Sequence, residues 1–279
     1  MKNEHEQPCR ERRQACRSRA DGNDIRSLTM PDATLSILII TLTFLLAGWV
    51  KGVIGMGLPT VAMGLLSLAM PPVQAAALLV IPSLATNLWQ LLAGPSFAAL
   101  IKRFAVMMIA IVLGTFAGIS LLTGSGGSAA TVTLGIVLAA YGIVGLRAVR
   151  FTIPARYEPW LSPLVGLLTG ILTGATGIFV IPAVPYFNSL GLSKEDLIQT
   201  LGLSFTISTA ALAAGLLMKG QFELTVAANS LFALLPALGG MFLGQHLRNR
   251  LQQDVFRRWF FTALLVLGIY MAARALYAV

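Results

Sequence analysis

From residue 33 onward the chain is a succession of long apolar runs, and no other feature restricts its fold as severely. The runs fall at about 33–50, 58–70, 73–93, 104–123 and 129–147, then at about 161–175, 178–190, 197–218, 225–246 and 257–277. Charged residues make up 11% of the sequence, against roughly 25% in soluble domains, so the chain cannot cover a water-facing surface. Inside a bilayer the backbone must satisfy its own polar groups, which leaves only helices or closed barrels. These runs are continuous rather than alternating, and that selects helices. A helix needs about 20 residues to cross the hydrocarbon, so 58–70 and 178–190 are too short for a comfortable span. The expected fold is an all-α membrane protein with about 8 transmembrane helices plus two short broken or re-entrant segments.

The two sets of runs match. Gly48-Trp-Val-Lys-Gly-Val-Ile-Gly-Met-Gly-Leu-Pro59 resembles Gly166-Leu-Leu-Thr-Gly-Ile-Leu-Thr-Gly-Ala-Thr-Gly177, which Pro182 follows. Leu91-Leu-Ala-Gly-Pro-Ser-Phe97 parallels Leu216-Leu-Met-Lys-Gly-Gln-Phe222. Gly114 and Gly118 parallel Gly240 and Gly244, and Gly142 parallels Gly268, with offsets drifting from 118 to 126 residues. The sequence therefore divides into a polar tail, 1–29, and two membrane repeats, 30–149 and 150–279. Glycine- and proline-interrupted apolar segments at matching places in two halves mark the substrate region of secondary transporters.

Charge gives the orientation. Seven of the 20 basic residues lie in the first 26 positions, in a tail expected to be disordered. If each half crosses an odd number of times, Lys102, Arg103, Arg147, Arg150, Arg156, Lys194, Arg248, Arg250, Arg257 and Arg258 share one side, leaving Lys219 and Arg274 opposite. That side is expected to be cytoplasmic, and the odd count makes the repeats inverted. The same parity puts the arginine-rich tail outside, against the rule; a start at Met30 would remove the conflict, and both starts are left open. The net charge of +9 thus reflects membrane orientation and not nucleic-acid binding. Cys9 and Cys16, the only cysteines, have no nearby histidine pair, so no metal site or cofactor is expected.

These residues resemble the sulfite exporter TauE/SafE family, also described as the TSUP permeases. The paired openings, Gly48 to Pro59 and Gly166 to Pro182, carry the likeness, with polar breaks in the helices that follow and Pro236, Gly240 and Gly244. It covers about 35–277. Two positions depart from the family pattern: Leu58 follows Gly57 directly, and Lys51 stands where the residue is usually small or apolar. The resemblance implies a plasma-membrane transporter for small sulfur-containing anions such as sulfite or organosulfonates.

Candidate binding residues follow from polarity inside apolar runs. Lys51 is the one basic residue well inside a run, and a lysine centred in a bilayer costs about 2.5–3.5 kcal/mol. It either binds an anion at the broken helix or snorkels to the interface. Gly52, Gly55, Gly57, Gly174 and Gly177 are positioned to expose backbone donors, or to pack helices closely. Asn87, Thr173, Thr176 and Ser204 are the neutral candidates, as oxyanion donors or as helix–helix glue. His246 is expected at an interface. Every carboxylate falls in a loop or near a terminus, so the coupling ion is unreadable.

Without a catalytic cluster, an enzyme is not expected. The reading is a carrier of a small anionic substrate, embedded in lipid and working by alternating access. An anion channel and a non-transporting membrane scaffold stay open as alternatives, as does a homo-oligomer.

Overall fold

The computed structural model describes residues 33–124, 127–147, 152–222, 224–248 and 250–277; the tail and the two candidate starts lie outside them. The described residues form ten α-helices and a 3-10 turn at Ala155–Tyr157. In order they are α1 (Ala33–Ile54), α2 (Leu58–Leu66), α3 (Pro72–Leu92), α4 (Phe97–Thr123), α5 (Gly127–Arg147), α6 (Glu158–Thr176), α7 (Ala183–Ser189), α8 (Lys194–Met218), α9 (Leu224–Leu247) and α10 (Gln253–Tyr277). Contacts group the chain into two units, 1–40 and 41–279. The first, where described, is the opening of α1; the packing below belongs to the second.

Eight helices are long and two short, as the apolar runs predict. Seven of the described helices are long and apolar enough to cross a membrane. The one departure is α6, whose 19 residues include Glu158, two prolines, three glycines and three threonines. Its polar and small residues suit contact with protein rather than lipid, which lowers its hydropathy below that of a free-standing span.

Each set of helices is cut by glycines in the left-handed region, which residues with a Cβ adopt only under strain. After Ile54, Gly55 (φ 87°) caps α1, its N–H donating to the Lys51 carbonyl at 2.7 Å. Gly57 (φ 108°) then precedes α2, which opens on Leu58 and Pro59. In the second set Gly177 (φ 72°) caps α6 by donating to the Thr173 carbonyl at 2.8 Å. The following residues stay non-helical until Ala183, so the second short helix is seven residues long, shorter than its apolar run.

The matched glycines meet across the halves. A Cβ on Gly48 would lie 2.0 Å from the Ala237 carbonyl oxygen, and one on Gly244 2.2 Å from that of Trp49. Gly170 and Gly174 stand in the same relation to the Ile111 and Thr115 carbonyls, at 2.2 Å each. Residue numbers rise together along both seams, so α1 runs parallel to α9 and α4 parallel to α6. Gly135 packs against Gly268 and Ala272 while Gly142 packs against Phe261 and Leu265, making α5 and α10 antiparallel. Such approaches leave no room for a side chain and bring backbones into van der Waals contact.

The most buried spans are α3 and α8, each 61% buried over its most apolar window, against 28% for α9 and α10. They lie antiparallel: Gly202 faces Gln90 and Leu91, while Thr209 meets Ser83. Pro82 interrupts α3 and has no N–H to offer the Leu78 carbonyl. Ser230 of α9 takes that place, donating to Leu78 O at 2.8 Å and accepting from Ile81 N at 3.2 Å. Large apolar side chains remain exposed on the outer helices, among them Phe232, Leu235 and Val266, as lipid contact requires.

Candidate polar centre around Lys51

Lys51 lies in the last turn of α1, just before the break at Gly55. Its side chain does not snorkel. It is 4% exposed and reaches α3, where Nζ donates to Thr86 Oγ1 at 3.1 Å and to Asn87 Oδ1. The fully buried Asn87 donates in turn to Ser83 Oγ at 3.1 Å, and Ser83 bonds Thr209 Oγ1 of α8 at 3.3 Å. Thr86 and Thr209 each also donate to a carbonyl of their own helix, Pro82 O at 2.8 Å and Phe205 O at 2.7 Å. One hydrogen-bonded chain therefore runs from the first broken helix through α3 to α8.

Every partner of Lys51 is a neutral oxygen. Among the described residues the one ion pair is Arg103 with Glu158, bidentate at 2.7 and 2.8 Å and well away along the chain. A hydrogen bond from a charged donor contributes about 1.5–3 kcal/mol. Two such bonds offset much of the desolvation of an ammonium, yet none of its charge is neutralised. The environment suits an anion better than a cation.

The remaining expected residues divide by what surrounds them. Gly52 and Gly174 are packing residues: a Cβ on either would meet a backbone carbonyl at 2.2 Å, of Met241 and Thr115 respectively. Gly55 has no atom within 4 Å of its Cβ position, so its left-handed turn leaves the backbone unobstructed. A Cβ on Gly57 would lie 3.1 Å from a Val50 methyl and 3.2 Å from the Phe260 ring. A Cβ on Gly177 would lie 3.0 Å from Met63 Sδ, which brings the second break against α2 of the first.

Thr173 and Thr176 are buried, but their hydroxyls are engaged locally. Each donates at 2.7 Å to the carbonyl four residues earlier, Thr169 O and Leu172 O, and Thr176 also accepts from Ile178 N. Ser204 differs: its buried hydroxyl has no hydrogen-bond partner.

Sequence reasoning singled out Lys51 and Asn87 but not Thr86 or Ser83 as their partners. Helical spacing carries the signal, since 83, 86 and 87 share one face of α3 after Pro82. Gln199 was missed too. It is fully buried, donates to Leu91 O and Gly94 O at 2.8 Å each, and accepts from Ser96 N, fastening α8 to the α3–α4 turn. Among the described residues no three His, Cys, Asp or Glu side chains gather as a metal site.

A multi-span helical bundle with glycine-cut helices, a buried lysine and a polar chain between its inner helices belongs with membrane transporters. The family model for the sulfite exporter TauE/SafE matches residues 40–271, and the chain belongs to that family of membrane transporters. No curated protein and no solved structure matches the chain.

Proposed function

We propose that the protein carries a small sulfur oxyanion, sulfite or an organosulfonate, across the plasma membrane by alternating access, with Lys51 as the principal anion ligand. One observation carries this: Lys51 is buried at the first helix break with only neutral oxygens around it. An anion supplies the missing countercharge, and the family supplies the sulfur oxyanion. Asn87 and Thr86 hold the ammonium in place, while the unobstructed backbone at Gly55 lies one turn away.

Helix directions support two inverted repeats, 30–149 and 150–279. Membrane-spanning helices joined by so few residues run in opposite directions, so α4 opposes α5 and α9 opposes α10. With α4 parallel to α6, α5 antiparallel to α10, and α9 parallel to α1, helices α1 and α6 point in opposite directions. Under this arrangement nine of those ten basic residues, the ones among the described residues, fall at one end of the bundle, the cytoplasmic one. Each opening helix packs on a helix of the other repeat, so a rocking motion of either repeat would work on both breaks together.

The test is flux of labelled sulfite, sulfate, thiosulfate and small sulfonates in proteoliposomes, with and without a pH gradient. Saturable movement of one of them is expected. Movement of none sinks the sulfur-anion assignment, and unitary currents in a planar bilayer would replace the carrier by a channel.

A further inference from the structure

The hydroxyls of α8 fall into two groups. Thr206 and Thr209 donate to the carbonyl four residues earlier, at 2.7 Å each. Thr200, Ser204 and Ser208 are fully buried, and their hydroxyls bond to no other group of the protein. They stand at i, i+4 and i+8, hence on one helix face with about 6 Å of rise between successive residues. This face is distinct from the one already described, because Gly202 and Thr209 look at α3. Gly215, two turns beyond Ser208 on the same side, faces Ile119 of α4, its Cβ position 3.1 Å from that side chain. Between the two faces Phe205 packs against Phe179 of the second break, with ring centroids 5.1 Å apart.

Buried polar atoms without a partner are rare in native proteins, and each calls for an explanation. A serine or threonine in a helix has the preceding turn's carbonyl within reach, so three on one face that decline it are held toward something else. We infer that Thr200, Ser204 and Ser208 form a second oxyanion-binding path, in which successive hydroxyls donate to the oxygens of the travelling anion. The inference rests on the anion-carrier reading and deepens it. The second break carries no lysine, and Thr169, Thr173 and Thr176 all donate their protons to their own helix. The α8 hydroxyls are the donors left over on that side. Ser208 directly precedes Thr209, where the chain from Lys51 ends, and the two side chains project about 100° apart around the helix. A cation path would want carboxylates or carbonyls, and Lys51 would repel its cargo.

The test places single cysteines at 204 and 208 in the full chain with Cys9 and Cys16 changed to serine. Each thiol is challenged in proteoliposomes with a negatively charged and a positively charged methanethiosulfonate of similar size. The anionic reagent is expected to react about tenfold faster, the preference of one charge-assisted contact, and saturating sulfite to slow it. In the flux assay Ser204→Ala and Ser208→Ala should each raise KM about tenfold with membrane abundance unchanged, and Ser204→Thr should restore it. Equal rates for the two reagents, faster reaction of the cationic one, or alanine variants with unchanged KM would overturn the path. If no anion is transported yet the thiols prefer the anionic reagent, the sulfur-anion reading fails and the path stands. Lysine-dependent transport with unreactive thiols would instead remove the path and leave the anion carrier standing.

Discussion

Gly239 and Gly240 are neighbours on α9 with opposite surroundings, so alanine at each should have opposite effects. A Cβ on Gly240 would lie 2.0 Å from the Leu45 carbonyl oxygen and 2.8 Å from Trp49 N, whereas one on Gly239 meets nothing within 4 Å. Both obstacles at Gly240 are backbone and cannot rotate away. Bringing the 2.0 Å contact to the 3.4 Å of ordinary contact requires α1 and α9 to part by about 1.4 Å. Gly48, Gly52 and Gly244 lie on the same seam and would lose their close contacts with it. Overpacking costs about 1–3 kcal/mol, and removing a helical glycine returns about 1 kcal/mol. For a four-glycine seam the upper end applies, leaving Gly240→Ala about 2 kcal/mol less stable and Gly239→Ala about 1 kcal/mol more stable. At about 2–4 °C for each kcal/mol, their unfolding midpoints should differ by about 6–12 °C. Thermal unfolding in detergent, followed by size-exclusion fluorescence, measures this directly. Equal midpoints, or a Gly240→Ala protein more stable than Gly239→Ala, would refute the backbone-contact account of this seam.

Other perturbations separate structure from transport. Ser230→Ala should destabilise the fold by about 1–3 kcal/mol, seen as a lower midpoint, because the Leu78 carbonyl beside Pro82 loses its donor. Asn87→Leu leaves Lys51 with Thr86 as its one acceptor and takes a donor from Ser83, so it should lower stability and flux; adding Lys51→Met should recover the midpoint but not the flux. Arg103→Ala removes a partly exposed ion pair and should shift stability by less than about 1 kcal/mol in the same assay.

Much of this architecture was legible because lipid allows so few solutions. Run length and glycine position anticipated the eight long and two short helices, including the breaks at Gly55, Gly57 and Gly177. The span count differs at α6, where helix–helix contact takes the place of lipid contact along one side. The Gly114 and Gly240 motifs could be matched by sequence, but not that Gly114 would pack on α6 and Gly240 on α1. That arrangement is tertiary and leaves no local trace.

At the polar centre, a lysine in an apolar run announced itself, while its partners did not. Thr86 and Asn87 are 35 and 36 residues away, and Thr209 lies 126 residues beyond Ser83. Nor does composition tell a threonine that bonds its own helix, like Thr173, from a serine left free, like Ser204. Both read as a hydroxyl in an apolar run.

The central claim, that the buried Lys51 ammonium holds the transported anion, is tested most directly by sulfite flux into proteoliposomes containing wild type, Lys51→Met or Lys51→Arg at equal density. Loss of one charge-assisted donor predicts about a ten- to hundredfold drop in kcat/KM for the methionine variant. The arginine variant should keep part of the flux. Wild-type sulfite transport by Lys51→Met would contradict the account.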